Sequence, residues 1–346
     1  MSRRGGRIIA GAVVRLRERG LAVIAGIDEA GYGPLLGPLV VTAAALEVPD
    51  DALDADLWRV LPGAVSRKPS KRPGRVAIGD SKKLYHRKRP KALEHLERGV
   101  LAMLATRGVR VASLRGLLRV LAPGAIEPLA GYPWYAGADP PLPRCVTATD
   151  VALAGNALAA GMARARVRLG TMRSEVVFAG EFNRTVGATR NKSTTLFDVT
   201  SRLLARLWGG LWRRRSPGRV RIYADRHGGR IRYLAPLQRL FAGCEFQVLE
   251  EGEARSRYRI ADARRELELC FGTDFDRHHL PVALASMACK YLRELFMELL
   301  NDFWARHVAE LAPTAGYYTD GRRFLREIAP AARRLALAPD LLRRCR

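Results

Sequence analysis

Cysteine is scarce in this chain of 346 residues, and its five cysteines form no Cys-X-X-Cys pair. They also lack neighbouring histidines at the spacings of zinc ligands, which argues against a structural zinc site. An odd, dispersed set of cysteines is typical of reduced, buried thiols in a protein of the cell interior. We therefore expect a cytoplasmic location.

Long apolar runs are also absent. No stretch approaches the 18 or so consecutive apolar residues of a transmembrane helix, so we expect no membrane partner. Near the N-terminus, Arg15, Arg17 and Arg19 interrupt the apolar segment that a signal peptide requires. We interpret residues 1–20 as a basic N-terminal extension and expect the protein to be a monomer.

Acidic residues are outnumbered, since 34 Asp and Glu stand against 59 Lys and Arg and leave a net charge of +25. Such an excess attracts phosphate polyanions and favours a nucleic-acid partner. An arginine-rich proteome produces the same excess without any function, so charge alone leaves both explanations open. The hydrophobic content of 48% is sufficient for a packed core and excludes wholesale disorder.

Short apolar runs alternate with amphipathic segments, which predicts an α/β fold with a mixed central sheet flanked by helices. A long helix is predicted over residues 282–304, where apolar residues recur every three or four positions. The clearest strands are predicted at 21–27, 39–46, 175–182 and 219–224. The first two suit a hairpin because Pro34, Gly37 and Pro38 lie between them.

Residues 105–173 interrupt this alternation, and we interpret them as an insertion or small subdomain. Asp150 is predicted to cap a helix that reaches Arg168. The aromatic residues of a Pro- and Gly-rich loop, Tyr132, Trp134 and Tyr135, either fasten that loop to the core, which we favour, or stack on bases. The predicted core therefore consists of two parts, residues 21–104 and 174–304, on either side of the insertion at 105–173. The basic extension at 1–20 precedes it, and a C-terminal helical region at 305–346 follows it.

Four acidic residues stand where strands or helices meet turns. Asp28 and Glu29 end one predicted strand, Asp225 ends another, and Asp276 precedes the long helix. Carboxylates at the ends of neighbouring strands converge on the sheet rim, where cations relieve their repulsion. Oxygen ligands favour Mg²⁺ or Mn²⁺, and a pair of such ions promotes displacement at phosphorus. Ordinary capping or salt-bridging acids remain the alternative at this point.

Five motifs in order resemble those of the ribonuclease HII family. Residues 26–40, GIDEAGYGPLLGPLV, resemble its opening motif, and residues 80–84, DSKKL, resemble the next one. Asp225 matches the third carboxylate of the family. Asp276, followed by VALASMACK at 282–290, resembles the fourth carboxylate and its helix, and GYYT at 316–319 resembles a Gly-Tyr-Gly-Thr motif.

The resemblance implies a ribonuclease H-like fold and a metal-dependent endonuclease that hydrolyses the RNA strand of RNA–DNA hybrids or ribonucleotide-containing duplexes. It further implies a two-metal-ion mechanism that leaves 3′-hydroxyl and 5′-phosphate ends. By the same resemblance, two Mg²⁺ or Mn²⁺ ions are bound by the catalytic residues Asp28, Glu29, Asp225 and Asp276. Substrate binding falls to Gly31, Tyr32, Gly33, Lys82, Lys83, Lys290 and Tyr317.

The chain departs from the family pattern in two loops. Tyr32 stands where the family has arginine, so a bidentate phosphate contact is lost. After Asp225 the family usually has glycine, whereas residues 226–230 read RHGGR and form either a set of phosphate contacts or a basic surface turn. A basic nucleic-acid-binding protein on the same fold, with lost or altered catalysis, is therefore the alternative function.

Overall fold

The computed structural model describes residues 20–71, 74–87, 89–211 and 218–345. The predicted basic extension lies outside the described residues except for Gly20. None of the helices in the described ranges combines the length and hydropathy that crossing a membrane requires.

Seven strands of the described chain form one mixed sheet. In order across it, they are β5 (Arg168–Val177), β2 (Leu39–Pro49), β1 (Leu21–Ala30), β6 (Arg219–Asp225), β9 (Glu266–Gly272), β8 (Arg255–Ala261) and β7 (Glu245–Glu251). Strand β6 runs parallel to both β1 and β9, and the other neighbours are antiparallel. The predicted mixed α/β class and the β1–β2 hairpin are confirmed.

Helices cover both faces of this sheet. Those of the described chain are α1 (Leu57–Val60), α2 (Ser81–Leu84), α3 (Glu94–Ala105), α4 (Leu114–Leu121), α5 (Ala148–Arg164), α6 (Ala179–Thr189), α7 (Lys192–Gly210), α8 (Leu234–Leu240), α9 (Phe275–His278), α10 (Leu280–Ala305), α11 (Tyr318–Arg334) and α12 (Pro339–Leu342). The short strands β3 (Val65–Ser66) and β4 (Val76–Ala77) pair separately.

The central strand β1 is buried on both faces because alternate side chains enter two different cores. Ala22 and Ile24 belong to the core that contains α10, whereas Val23, Ala25 and Ile27 belong to the core that contains α7. The even-numbered face of β1 is therefore the α10 face. Asp28 continues that face at the end of the strand.

Several predicted boundaries are wrong. Helix α5 begins after Thr147, whose hydroxyl accepts from the backbone N of Asp150 at 3.0 Å, so Thr147 and not Asp150 is the N-cap. Asp150 sits three positions later and accepts from the backbone N of Thr147, which completes a capping box. The helix ends at Arg164 because Arg168 already begins β5.

The strand predicted at 175–182 is displaced. Strand β5 runs over Arg168–Val177, and residues from Ala179 onwards form α6. Apolar residues at 176–179 suit a buried strand or a buried helix start, and only sheet pairing with β2 separates the two. Strand β9 had no counterpart in the sequence prediction. The edge strand β5 also begins inside the segment interpreted as an insertion.

The aromatic loop of that segment packs into the core, as the favoured interpretation states. Tyr132, Trp134 and Tyr135 are buried, and the Tyr135 ring lies 5.0 Å from that of Phe296 in α10. The buried carboxylate of Glu97 in α3 fastens the chain just after this loop. It accepts hydrogen bonds from the backbone of residues 144–146 and from the hydroxyl of Tyr291 in α10.

Candidate active site

Two neighbouring parallel strands bring three carboxylates together. Ile27 of β1 is in register with Ala224 of β6, so Asp28 and Asp225 are the next residue along each strand. One oxygen each from Asp28, Glu29 and Asp225 lies within 4.8 Å of the other two. Three half-buried carboxylates at this spacing are a donor set that suits a hard divalent cation such as Mg²⁺ or Mn²⁺.

Asp276 enters the same site from another element, the short helix α9, and does not belong to the close trio. It lines a cleft of about 270 Å³ together with the other three carboxylates. Asp80 and Asp274, to which the sequence analysis gave no role in the site, also line this cleft. The signal for Asp80 was its position at the head of the DSKKL motif.

The acidic cluster concentrates negative charge that Lys82 neutralises only in part. Burial, and then the charge of Asp225, raises the pKa of Asp28 to about 7, against the opposing hydrogen bonds from Ser286 and the Glu29 backbone. Burial also raises the pKa of Asp225 to about 6 and that of Glu29 well above its usual value. Cations relieve such repulsion, so the residues present fit a metal site.

We expect Mn²⁺ to raise the melting temperature of EDTA-treated protein by more at about pH 8 than at about pH 6. The raised carboxyl pKa values mean that the folded state binds protons more tightly than the unfolded state does. This stabilisation of the folded state is complete below the ordinary pKa of 3.8 and is lost as the pH rises from there through the folded-state values of about 6 and 7. Protons compete with the metal at the lower pH. Thermal melts at matched ionic strength check this, and equal shifts at both pH values would contradict it.

The loop after β1 lines one wall of the cleft, and its glycines have different roles. Gly31 has φ of +89°, and a Cβ there would lie 2.4 Å from the carbonyl oxygen of Pro38 and 2.7 Å from Nε of Arg293. Only glycine fits this position. Gly33 is exposed, and a Cβ there would have no atom within 4 Å, so the protein itself does not require glycine at that place.

Tyr32 is half-buried between the carboxylates and the loop at 226–230. Its hydroxyl lies 3.9 Å from where a Cβ on Gly228 would be. Burial, and then the charge of Glu29, raises the pKa of Tyr32, so its hydroxyl remains protonated near neutrality. Tyr32 therefore offers a ligand in the cleft a neutral hydroxyl and an aromatic ring, and it supplies no positive charge.

The two lysines of the DSKKL motif diverge. Lys82 is exposed and lines the cleft, whereas Lys83 does not line it and lies 3.7 Å from the Asp80 carboxylate. Helix α2 is held in place by a hydrogen bond of 2.9 Å between the hydroxyls of Ser81 and Ser286 in α10. This contact orients Lys82 towards the carboxylates and places Ser286 beside Asp28.

Lys290 and Tyr317 line the cleft from α10 and from the turn before α11. Lys290 forms an ion pair with Glu294, to which it donates at 2.6 Å, and it lies 4.6 Å from the centre of the Tyr85 ring. Tyr317 is 55% exposed at the rim, where its ring is accessible to a ligand. Of these two residues, Tyr317 is the freer to contact a ligand.

Arg293 is a buried residue that the sequence analysis missed. Its Nη2 donates to the carbonyl oxygens of Leu36 and Ala315, at 3.3 Å and 3.0 Å. It therefore joins the loop after β1 to the segment that carries Tyr317. The sequence signal was weak, because an arginine at an otherwise apolar position of a long helix resembles any surface charge.

The basic loop at 226–230 is tied into the protein. Arg230 donates to the hydroxyls of Ser193 and Thr194, both at 3.1 Å, and Arg226 donates to the carbonyl of Glu253. His227 is buried, and burial lowers its pKa to about 3. These contacts favour a structural turn over a set of free phosphate ligands.

Comparison with known proteins identifies relatives in sequence, although no protein-family model matches the chain. Ribonuclease HII from Mycobacterium avium (strain 104) is 28% identical over 225 residues, which cover 62% of this chain and 87% of that protein. Ribonuclease HII from Mycobacterium ulcerans (strain Agy99) is 32% identical over 126 residues, 34% of this chain and 43% of that protein. The chain thus covers less than half the length of the second relative.

Among solved structures, the complex of PCNA and RNase HII from Archaeoglobus fulgidus aligns over 94% of both chains, with 16% identity and a TM-score of 0.41. In sequence, this chain is therefore similar to proteins named ribonuclease HII.

Proposed function

We propose that this protein is a metal-dependent endonuclease that hydrolyses the RNA strand of RNA–DNA hybrids and leaves 3′-hydroxyl and 5′-phosphate ends. The observation that carries the proposal is the convergence of Asp28, Glu29 and Asp225 within 4.8 Å in a cleft that also contains Asp276. The sequence similarity to proteins named ribonuclease HII supports the same reaction class. The proposal includes a monomer in the cytoplasm.

Asp28, Glu29, Asp225 and Asp276 would hold two Mg²⁺ or Mn²⁺ ions in this proposal. Such ions supply an activated water and stabilise charge on the leaving oxygen. The carboxylates have to be ionised to hold them, and their raised pKa values therefore predict weak activity in acid. Ser286 and the backbone N of Glu29 orient the Asp28 carboxylate by hydrogen bonding.

The remaining cleft residues bind the nucleic acid. Lys82 is exposed beside the carboxylates and neutralises a backbone phosphate as a point charge. The Gly31 main chain lines the cleft, where a ribose 2′-hydroxyl can contact it. Tyr317 stacks on a sugar or base at the exposed rim. Gly33, Tyr32 and Lys290 complete this surface, and Lys83 contributes charge from outside the cleft.

Incubation of the purified protein with an end-labelled RNA–DNA hybrid and Mn²⁺ tests the proposal. We expect cleavage within the RNA strand, with products that carry 5′-phosphates. Duplex DNA of the same sequence is the negative control, because it lacks the 2′-hydroxyl. Absence of cleavage with Mg²⁺ and with Mn²⁺, on hybrids and on duplexes with a single ribonucleotide, would overturn the proposal.

Tyr32 is the observation behind the alternative function, a nucleic-acid-binding protein with lost or altered catalysis. Tyrosine at this place removes a cation from the loop beside the carboxylates. The same assay separates the two functions, because the alternative requires hybrid binding in EDTA and no turnover with any divalent ion. The close carboxylate trio argues against it, since unfilled acidic groups repel phosphate.

A further inference from the structure

The C-terminal strap, defined here as residues 338–345, follows α11 and runs back to the loop after β1. It contains α12 and then an extended segment that lies against α6. Asn183 of α6 fastens it, because its side chain donates to the carbonyls of Asp340 and Arg343 and accepts from the backbone N of Cys345 at 2.7 Å. These three bonds fix the course of the strap beside the loop after β1.

Arg344 in this strap donates hydrogen bonds to carbonyl oxygens of that loop. Its backbone N donates to Leu35 O at 2.9 Å, and its Nε donates to Pro34 O at 3.1 Å. Its Nη2 donates to the carbonyls of both Gly31 and Pro34. A single side chain near the end of the chain thus joins both ends of the four-residue turn, residues 31–34, that lines the cleft.

The burial of Arg344 is costly and calls for a compensating role. The residue is 1% exposed, and among the described residues its side-chain hydrogen bonds go to carbonyl oxygens and not to a carboxylate. Its guanidinium carbon lies 4.6 Å from the centre of the Phe182 ring. A buried cation without an acidic partner contributes little to stability, whereas carbonyl oxygens aimed at a rigid guanidinium fork become fixed in direction.

We propose that Arg344 is a positioning residue that keeps the Gly31–Pro34 turn in the shape required to bind the nucleic-acid backbone beside the carboxylates. This rests on the proposed function. Arg344 does not touch the ligand, because it lies beneath the turn and is not among the cleft-lining residues. The carboxylates lie on β1, β6 and α9 and not on the turn. The proposal therefore expects metal binding to be independent of Arg344.

Arg344→Met tests this, since methionine retains an apolar stem and removes every side-chain donor. In metal-free protein, we expect amide hydrogen exchange over residues 31–37 to accelerate by about tenfold or more relative to the wild-type protein. The exposed neighbour Arg343→Met is the matched control and leaves this exchange unchanged. Unchanged exchange in Arg344→Met would overturn the proposal, whether or not the wild type cuts a hybrid.

Steady-state cleavage supplies the second measurement. We expect Arg344→Met to raise KM for the hybrid about tenfold with kcat and Mn²⁺ affinity close to the wild-type values. Arg344→Lys recovers part of the loss because one charged donor remains. Asn183→Ala releases the strap that carries Arg344, so we expect it to raise KM in the same direction by a smaller factor. A wild-type KM in Arg344→Met contradicts positioning by Arg344. Failure of the proposed function itself is seen separately, as a wild type that does not cut.

Discussion

Asp28→Asn is expected to lower the rate of hybrid cleavage by about a thousandfold while the protein remains folded. Asp28 belongs to the close carboxylate trio and faces α10, where the Ser286 hydroxyl bonds to it. Asparagine keeps the shape and can still accept these hydrogen bonds, but it removes the charge that a metal ion requires. Single-turnover cleavage of an end-labelled hybrid in Mn²⁺ measures the effect.

The same variant is expected to lose activity and yet to be at least as stable as the wild-type protein when no metal is present. The folded-state pKa of Asp28, about 7, exceeds its ordinary value of 3.8, so the ionised carboxylate destabilises the metal-free fold, most fully above about pH 7. Asp28→Asn should therefore melt at or above the wild-type temperature in EDTA at about pH 8 and lose most of its stabilisation by Mn²⁺. A variant that merely unfolds would instead melt lower.

Asp54→Asn is the matched control for the loss of one carboxylate. Asp54 is 63% exposed, outside the cleft, and pairs with Arg219 and Arg221. The pair with Arg219 is exposed and contributes little, and the more buried Arg221 keeps Glu268 as a second acidic neighbour at 3.6 Å, so cleavage and melting temperature should remain close to wild type. Cleavage by Asp28→Asn within about tenfold of this control would contradict the assignment of Asp28 to the metal site.

Gly26→Ala is expected to lower the free energy of unfolding by about 3 kcal/mol or more, an overpacking effect at the upper end of its usual range. A Cβ on Gly26 would lie 2.1 Å from the backbone N of Val282 and 2.4 Å from the carbonyl carbon of Pro281. Both atoms belong to the first turn of α10, so no side chain can move aside. Either β1 or α10 has to shift.

This shift also reaches the candidate site. Asp28 lies two residues beyond Gly26 on the same strand face, and its partner Ser286 lies one turn beyond Val282 on α10. Separation of the strand from the helix therefore weakens the Asp28–Ser286 contact, and we expect cleavage to fall together with stability.

Urea denaturation measures the change, with Gly63→Ala as the control for glycine replacement. Gly63 is exposed, and a Cβ there would have no atom within 4 Å. A loss of less than about 1 kcal/mol in Gly26→Ala, similar to that of Gly63→Ala, would show that α10 tolerates the extra methyl group.

Local patterns were sufficient to predict strands β1 and β6, which hold three of the carboxylates, and helix α10. The apolar run before Asp28, the hairpin glycines and prolines, and the helical spacing within α10 all act over a few residues, so sequence predicted these elements well. The predicted boundaries were wrong where the same residues suit both a strand and a helix. The apolar residues at 176–179 end a strand and start a helix only because β2 pairs with β5 as far as Val177.

The sequence by itself determined the chemistry available to this protein: four carboxylates at motif positions, a basic surplus of +25, and a glycine-containing loop beside them. The tertiary structure decided that Asp28, Glu29 and Asp225 form the close group, that Lys83 pairs with Asp80 and does not line the cleft, and that Arg293 and Arg344 hold the loop from beneath. The physical reason is the separation along the chain over which each property acts. Residue type and spacing are local properties, whereas the burial of Arg344 against Gly31 joins residues 313 positions apart and exists only after the sheet and its helices have packed.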